Sequence, residues 1–474
     1  MPNRHPRVVD EVSTWRGNRS HVIYTVAVFI LLASLDNTAL AMIPAMVKPV
    51  SSELGVSEVA IGFMTATVVL ITALTAVVWG FQGDRSNRKV LLLVGTAVWS
   101  GGTALSATAG SYGTLFSYQL ITAVGLGSIA SVGFSMVSDL IRPGRRGLVM
   151  SFWGISQGLG TLGGGLLASQ LGAGDFRQPL MAVAIAGLGC AVLYIPAFNP
   201  PRGFREPELE GTAIGDDHVI DRSQVPALMR KPTNRWLILQ GFTAQFAYGS
   251  LIWATFLYQS KVEAAGYSEA TATKVGGLFV AIFQVGALMS IVAGHIGDRL
   301  QERTPRGRAL LSAAGILGAI PFFMVFFFVP LRGLDVTEGA GTGQLIPEVL
   351  RELATNPWAA TAFVSAILAI ALTSADSPNW FALISDVNLP EHRGTVYGLG
   401  NLTNGVGRAI GNGMTGPAAV GLSASMPPPW NWATGLALFQ VFFLPTGYCY
   451  WKAAETSADD IADVRSTLRA RAGG

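Results

Sequence analysis

Charge is scarce in this chain. Asp, Glu, Lys and Arg make up 13% of its 474 residues, against roughly a quarter in a soluble protein. Such a sequence does not cover the surface of an ordinary water-soluble domain. Cysteine is scarcer: Cys190 and Cys449 stand apart, in or beside apolar runs, which excludes a disulfide framework and any thiolate cluster. The five histidines are scattered, with no H-x3-H pair, so no metal site is expected. Nothing resembles a nucleotide-binding module, so ATP drive is not expected, nor is any cofactor or nucleic-acid partner. A membrane-embedded enzyme would need a nucleophile with its base, or metal ligands, at depth, and the sequence supplies neither. Gly158-x-Gly160-x2-Gly163 matches the dinucleotide fingerprint letter for letter. It lies inside an apolar run with no strand before it, where close helix packing is the reading.

What is abundant is apolar sequence. Half the residues are hydrophobic, in runs of about 20, long enough to cross a hydrocarbon core. The expectation is an all-α membrane protein with twelve transmembrane helices, near 22–47, 57–80, 89–109, 113–139, 147–171, 178–197, 234–260, 272–297, 308–330, 357–386, 394–422 and 432–452. Residues 198–233, polar and rich in proline, divide them into two six-helix bundles, 21–197 and 234–453. An arm (1–20) and a tail (454–474) flank the bundles, and the tail's acidic-then-basic order reads as a solvated helix. With the N-terminus in the cytoplasm, 25 of the 32 Lys and Arg fall on the cytoplasmic side, six fall outside, and Arg408 lies within a span. This positive-inside asymmetry places both termini in the cytoplasm.

Two joints between spans are written twice. Gly80-x2-Gly83-Asp84-Arg85 returns as Gly294-x2-Gly297-Asp298-Arg299, 214 positions on. Asp139-x3-Pro143-x2-Arg146-Gly147 returns as Asp386-x3-Pro390-x2-Arg393-Gly394, 247 positions on. Recurrence in the same order implies two pseudo-symmetric halves. The unequal offsets place an insertion at 331–356. Its end sets Leu345, Ile346, Val349, Leu350 and Leu353 on one helical face, as in a helix lying on the outer membrane surface.

The first joint, continued by Asn87-Arg88-Lys89, resembles the loop between the second and third spans of the major facilitator superfamily, although that family usually has Gly where Asn87 stands. The resemblance covers essentially the whole chain. It implies a secondary transporter working by alternating access, gated at Gly80, Asp84, Arg85, Asp139, Arg146, Asp298, Arg299, Asp386 and Arg393. Leu35-Asp36-Asn-Thr-Ala39, Gly125-Leu-Gly127 and Ser138-Asp139 look like the spinster-type lipid transporters and their bacterial relatives. That branch usually has Glu where this chain has Ser128. Similarity to proton-coupled drug exporters is nearly as good. The resemblance further implies a monomer in a bacterial inner membrane. Its cavity would be lined by spans one, four, seven and ten, with Ser128, Phe134, Trp253, Phe256 and Trp380 as candidate walls for an amphipathic lipid-like or drug-like substrate.

Three ionisable residues lie deep in spans. By helix rise Asp36 is about 22 Å from the cytoplasmic start of its span, Asp376 about 15 Å from Asp386, and Arg408 about 21 Å from Gly394. Charge there costs ~2.5–3.5 kcal/mol on insertion scales, so a role or a partner is expected. Asp36 has no basic residue in its span, and a carboxyl without a partner is cheapest as the neutral acid. Asp36 and Asp376 are therefore the expected proton carriers. Asp376 and Arg408 lie in consecutive spans and could pair, or Arg408 could take an anionic head group.

Overall fold

The computed structural model describes residues 18–171, 175–209 and 220–473. Most of the expected N-terminal arm, and positions 210–219 of the linker, lie outside them. Among the described residues there is no strand.

Helix occupies all twelve expected stretches, numbered here as the first to twelfth spans. They are Arg19–Ala45, Glu58–Gly83, Arg88–Ser106, Tyr112–Ser128 with Phe134–Leu140, Arg146–Leu171 and Arg177–Tyr194 in the first half. The second half has Pro232–Ser250 with Ala254–Ala264, Glu269–Phe283 with Met289–Arg303, Gly307–Phe328, Pro357–Thr373 with Asp376–Val387, Arg393–Leu422, and Trp430–Gln440 with Phe443–Gly473. Eight are long and apolar enough to cross a membrane on that ground alone. The fifth, seventh, eleventh and twelfth are not among them. The seventh and eleventh carry Gln240, Gln245, Asn401, Asn404 and Arg408, which line an interior cavity and so need not meet lipid.

Local chemistry sets several ends and breaks. Ser57, Asn87, Ser268 and Asn356 accept backbone N–H groups at the starts of the second, third, eighth and tenth spans. The cap explains Asn87 in a position where glycine was the family expectation. The tenth span breaks at Ser374–Ala375 because Pro378 offers no N–H to Ser374 and its ring crowds that carbonyl. Asp376 thereby sits in the first turn of a new helical segment, the end that favours negative charge. Pro445 breaks the twelfth span in the same way.

Within the first half the first span packs on the fifth and sixth, and the third on the fourth and sixth. In the second half the seventh packs on the eleventh and twelfth, and the ninth on the tenth and twelfth. Across the seam the second span meets the eleventh, and the fifth meets the eighth and tenth. The end of the molecule that carries the repeated joints is called the joint face below.

One expectation changes, and the insertion gains detail. The tail is not a free solvated helix. It continues the twelfth span and buries Ile461, Val464 and Leu468, while Arg471 pairs with Glu391 at 2.8 Å and Asp460 accepts the Thr233 N–H. An apolar i, i+3, i+7 stripe within the charges gives it a face to dock. The insertion forms the helix Thr342–Thr355. Leu345, Val349 and Leu353 are buried, but Ile346 and Leu350 are exposed, because the stripe is wider than the contact with the eighth and tenth spans.

Candidate functional site

At the joint face each half closes on the other through the same device. Asp84, ending the second span, accepts the N–H groups of Gly394 and Thr395 at 2.9 and 2.6 Å. Asp298, inside the eighth span's Met289–Arg303 segment, accepts those of Gly147 and Leu148, both at 2.8 Å. Each carboxylate thus satisfies the first donors of a helix from the opposite half. Glycine permits the approach: a Cβ on Gly80 would strike the Gly394 carbonyl, and one on Gly294 the Gly147 carbonyl.

Between these contacts runs a buried chain of charge. Arg88 pairs with Asp139 at 2.5 Å and Asp139 with Arg393 at 2.7 Å. Arg146 pairs with Asp386 at 3.0 Å, and Arg308 pairs with both Asp386 and Asp298. Glu206 joins the two ends, accepting from Arg393 and Arg146 at 2.5 Å each. Asp139, Asp386, Arg146 and Arg393 are therefore mutual partners across the seam. The structure leaves Arg85 and Arg299 outside this network. Both are exposed, and Arg85 lies over the Phe81 ring instead. Arg299 follows Asp298 within one helix and so points about 100° away around it, and Arg85 lies in the turn after the second span; Arg88 and Arg308 make the ion pairs instead. Sequence reasoning also missed Glu206. Among Glu206, Glu208, Asp216 and Asp217, nothing in the linker's composition singles it out.

Burial pushes the Glu206 carboxyl up, but the Arg146 and Arg393 guanidiniums outweigh it and hold it down at about 2, against an ordinary 4.5. Its contribution is complete above the ordinary value and is lost only as pH falls through about 2. Distances between labels placed across the joint face should therefore not change, on account of Glu206, between pH 8 and pH 5. Opening that titrates in this window and disappears in Glu206→Gln would contradict the assignment.

Above the closed joint face the seam holds a cavity of about 390 Å³. Asp36, Asp376, Trp380 and Arg408 line it. Asp36 is 4% exposed, and its Oδ1 has no partner. Asp376 is the opposite case: Gln240 and Tyr248 donate to it at 3.1 Å each, and Tyr450 donates as well. Three donors from the seventh and twelfth spans fix this carboxylate in place. Arg408 does not pair with Asp376. Its Nε donates to Gln245 at 2.8 Å, and the exposed guanidinium faces no carboxylate within ion-pair distance among the described residues. The remaining walls are richer in amides than expected, with Asn37, Gln157, Gln240, Gln245, Asn401 and Asn404 beside Leu40, Val69, Leu126 and Phe381.

Four expected wall residues stand off this cavity. Ser128 is fully buried against Gly95 of the third span. Phe134 stacks on Phe381 with centroids 3.8 Å apart, in the packed seam. Trp253 and Phe256 lie toward the other end of the seventh span and stack on Trp432 at 5.4 and 5.7 Å. The fourth span's π-helical turn, Ile129–Gly133, and the seventh span's turn at Leu251–Trp253 depart from regular α-helix.

Comparison with known proteins agrees with this architecture. The family model described as Major Facilitator Superfamily matches residues 26–412. Over 304 residues the chain is 26% identical to protein spinster homolog 3 of Danio rerio, covering 60% of this chain and 58% of that one. Over 298 residues it is 24% identical to the sphingosine-1-phosphate transporter SPNS2 of Danio rerio, covering 60% and 58%. The chain thus spans less than two thirds of the length of these relatives. Among solved structures, a bacterial homolog to the human lysosomal transporter Spinster superposes with TM-score 0.58 at 18% identity, covering 94% of this chain and 99% of that one. The human organic anion transporter MFSD10 gives 0.65 at 16%, covering 90% and 99%. At these identities the structural likenesses show the fold.

Proposed function

The chain belongs to the Major Facilitator Superfamily, and from that premise we propose that it moves an amphipathic lipid-like or drug-like substrate across the membrane by alternating access, coupled to protons. The observation that carries this reading is the cavity between the halves, closed toward the joints, where an acid without a partner (Asp36) and an exposed arginine (Arg408) share one space. In this reading the joints and both termini are cytoplasmic, which the Lys and Arg asymmetry supports, and the described form is the one shut toward the cytoplasm. A bacterial inner membrane remains the expected location. One relative named above is bacterial, and the others are animal proteins.

In this reading Arg408 meets an anionic head group, the amides complete its hydrogen bonds, and Asp36 exchanges the proton. Asp376, with three donors, serves as a fixed counter-charge. A proton-driven efflux antiporter for cationic drugs is the second reading, favoured by two carboxyls in the cavity against one guanidinium. A transport-dead receptor of the same fold would have no need of the closed joints. Proteoliposome uptake of an anionic lysolipid and of a cationic dye, with and without a pH gradient, separates the three.

Arg408→Gln should weaken the apparent affinity for the anionic lysolipid about 10- to 100-fold, the value of a charge-assisted hydrogen bond, and leave dye transport unchanged. Equal lysolipid affinity in the variant would remove Arg408 from the site.

A further inference from the structure

Arg146 and Arg393 are equivalent residues of the two halves, and their surroundings match. Each Nε donates to the carbonyl eight residues earlier, Ser138 at 3.2 Å and Ser385 at 3.0 Å. Each Nη1 donates to the other half's aspartate, and each Nη2 to one and the same atom, Glu206 Oε1, at 2.5 Å. Glu206 therefore sits at the approximate two-fold axis between the halves, though it belongs to the repeat of neither. It comes from the connection between them.

We propose that Glu206 is a removable key: the linker carboxylate, rather than the halves alone, holds the joint face shut, so the Gly203–Leu209 turn sets how often that face opens. With both nitrogens 2.5 Å from one oxygen, the two cannot be more than 5.0 Å apart. Without Glu206, two buried guanidiniums face each other with no anion between them, and like charge in a poorly solvated space drives them apart. The neighbouring acids cannot take its place. Asp139 already holds Arg88 and Arg393, Asp386 holds Arg146 and Arg308, and Asp84 and Asp298 hold helix ends.

The key is also attached to parts that can move it. Arg202 donates to the Gly83 and Ser86 carbonyls of the first joint. Glu208 lies 3.7 Å from Arg465 of the docked tail. Gly203 turns the chain at φ +74°, where a Cβ would crowd Leu209 and Pro390. Tail, linker and first joint thus bear on one carboxylate. This inference rests on the alternating-access reading only where it assigns the opening to a transport cycle.

The test uses the full chain in lipid nanodiscs, with spin labels at Gln82→Cys and Arg303→Cys, exposed positions of the two halves on the joint face. The native Cys190 and Cys449 are buried. The unmodified linker should give one short distance. Glu206→Ala and Glu206→Gln should each lower the ratio of short to long distances at least tenfold. Sodium formate should restore the short distance in the Ala variant, whereas sodium chloride at equal ionic strength should not. A Gln variant that keeps the original distribution, or an Ala variant indifferent to formate, would overturn the proposal. Should the Ala variant not fold, the Gln variant decides alone. Absence of transport by the unmodified protein would sink the transporter reading, while the label distances would still decide whether Glu206 holds the face shut.

Discussion

Asn in place of Asp36 is expected to abolish pH-driven accumulation while leaving downhill exchange of substrate intact. The two side chains have the same shape, so local packing is preserved; the amide simply has no proton to exchange. A gradient of two pH units supplies about 2.7 kcal/mol per proton, enough for roughly 100-fold accumulation at one proton per substrate. The variant should fall to a ratio of about one. Asp36 is singled out by geometry: its Oδ1 lacks a partner in a wall of the cavity, whereas Asp376 already accepts three hydrogen bonds. Asp376→Asn should accordingly cost stability and substrate binding before it costs the gradient dependence. Undiminished accumulation by the Asp36→Asn protein would take that residue out of the mechanism.

Gly80→Ala is expected to have the largest effect on the cycle. Alanine stabilises a helix over glycine by about 0.5–1 kcal/mol, so the fold should tolerate the change. The added methyl, however, would sit inside the Gly394 carbonyl, and backbone cannot rotate aside as a side chain can. The closed joint face should become inaccessible, with transport reduced to a few per cent of normal and the Gln82–Arg303 label distance long. Gly294→Ala, against the Gly147 carbonyl, should behave alike. Gly101, with open space where its Cβ would stand, is the matched control and should be silent. Normal transport by Gly80→Ala would mean that the halves do not need to approach this closely.

How far these features were legible follows from their physics. Two halves, their joints and the twelve helical stretches were readable because apolar length and repeated polar motifs are local properties of a sequence. Asp36, Asp376 and Arg408 were readable because charge within an apolar run is costly wherever its partner lies. Arg308 was not, because its offset from Asp298 is ten residues whereas Arg88 follows Asp84 by four, which breaks the repeat at that point. Glu206 was not, because its partners come from the two halves and only folding brings them together. Ser128, Phe134, Trp253 and Phe256 were named by resemblance alone, and in this form they stand off the cavity, packed against other spans. The amide content of the cavity emerged only when spans of both halves were brought around one space.

The central claim is that one cavity is exposed to the two sides in turn. Two label pairs in the same protein test it, Gln82 with Arg303 on the joint face and Phe63 with Ile252, both exposed, toward the opposite face, followed as pH and an anionic lysolipid are varied in nanodiscs. The account predicts reciprocal change, the joint-face distance lengthening as the other shortens. Distances that stay fixed, or that lengthen and shorten together, would contradict it.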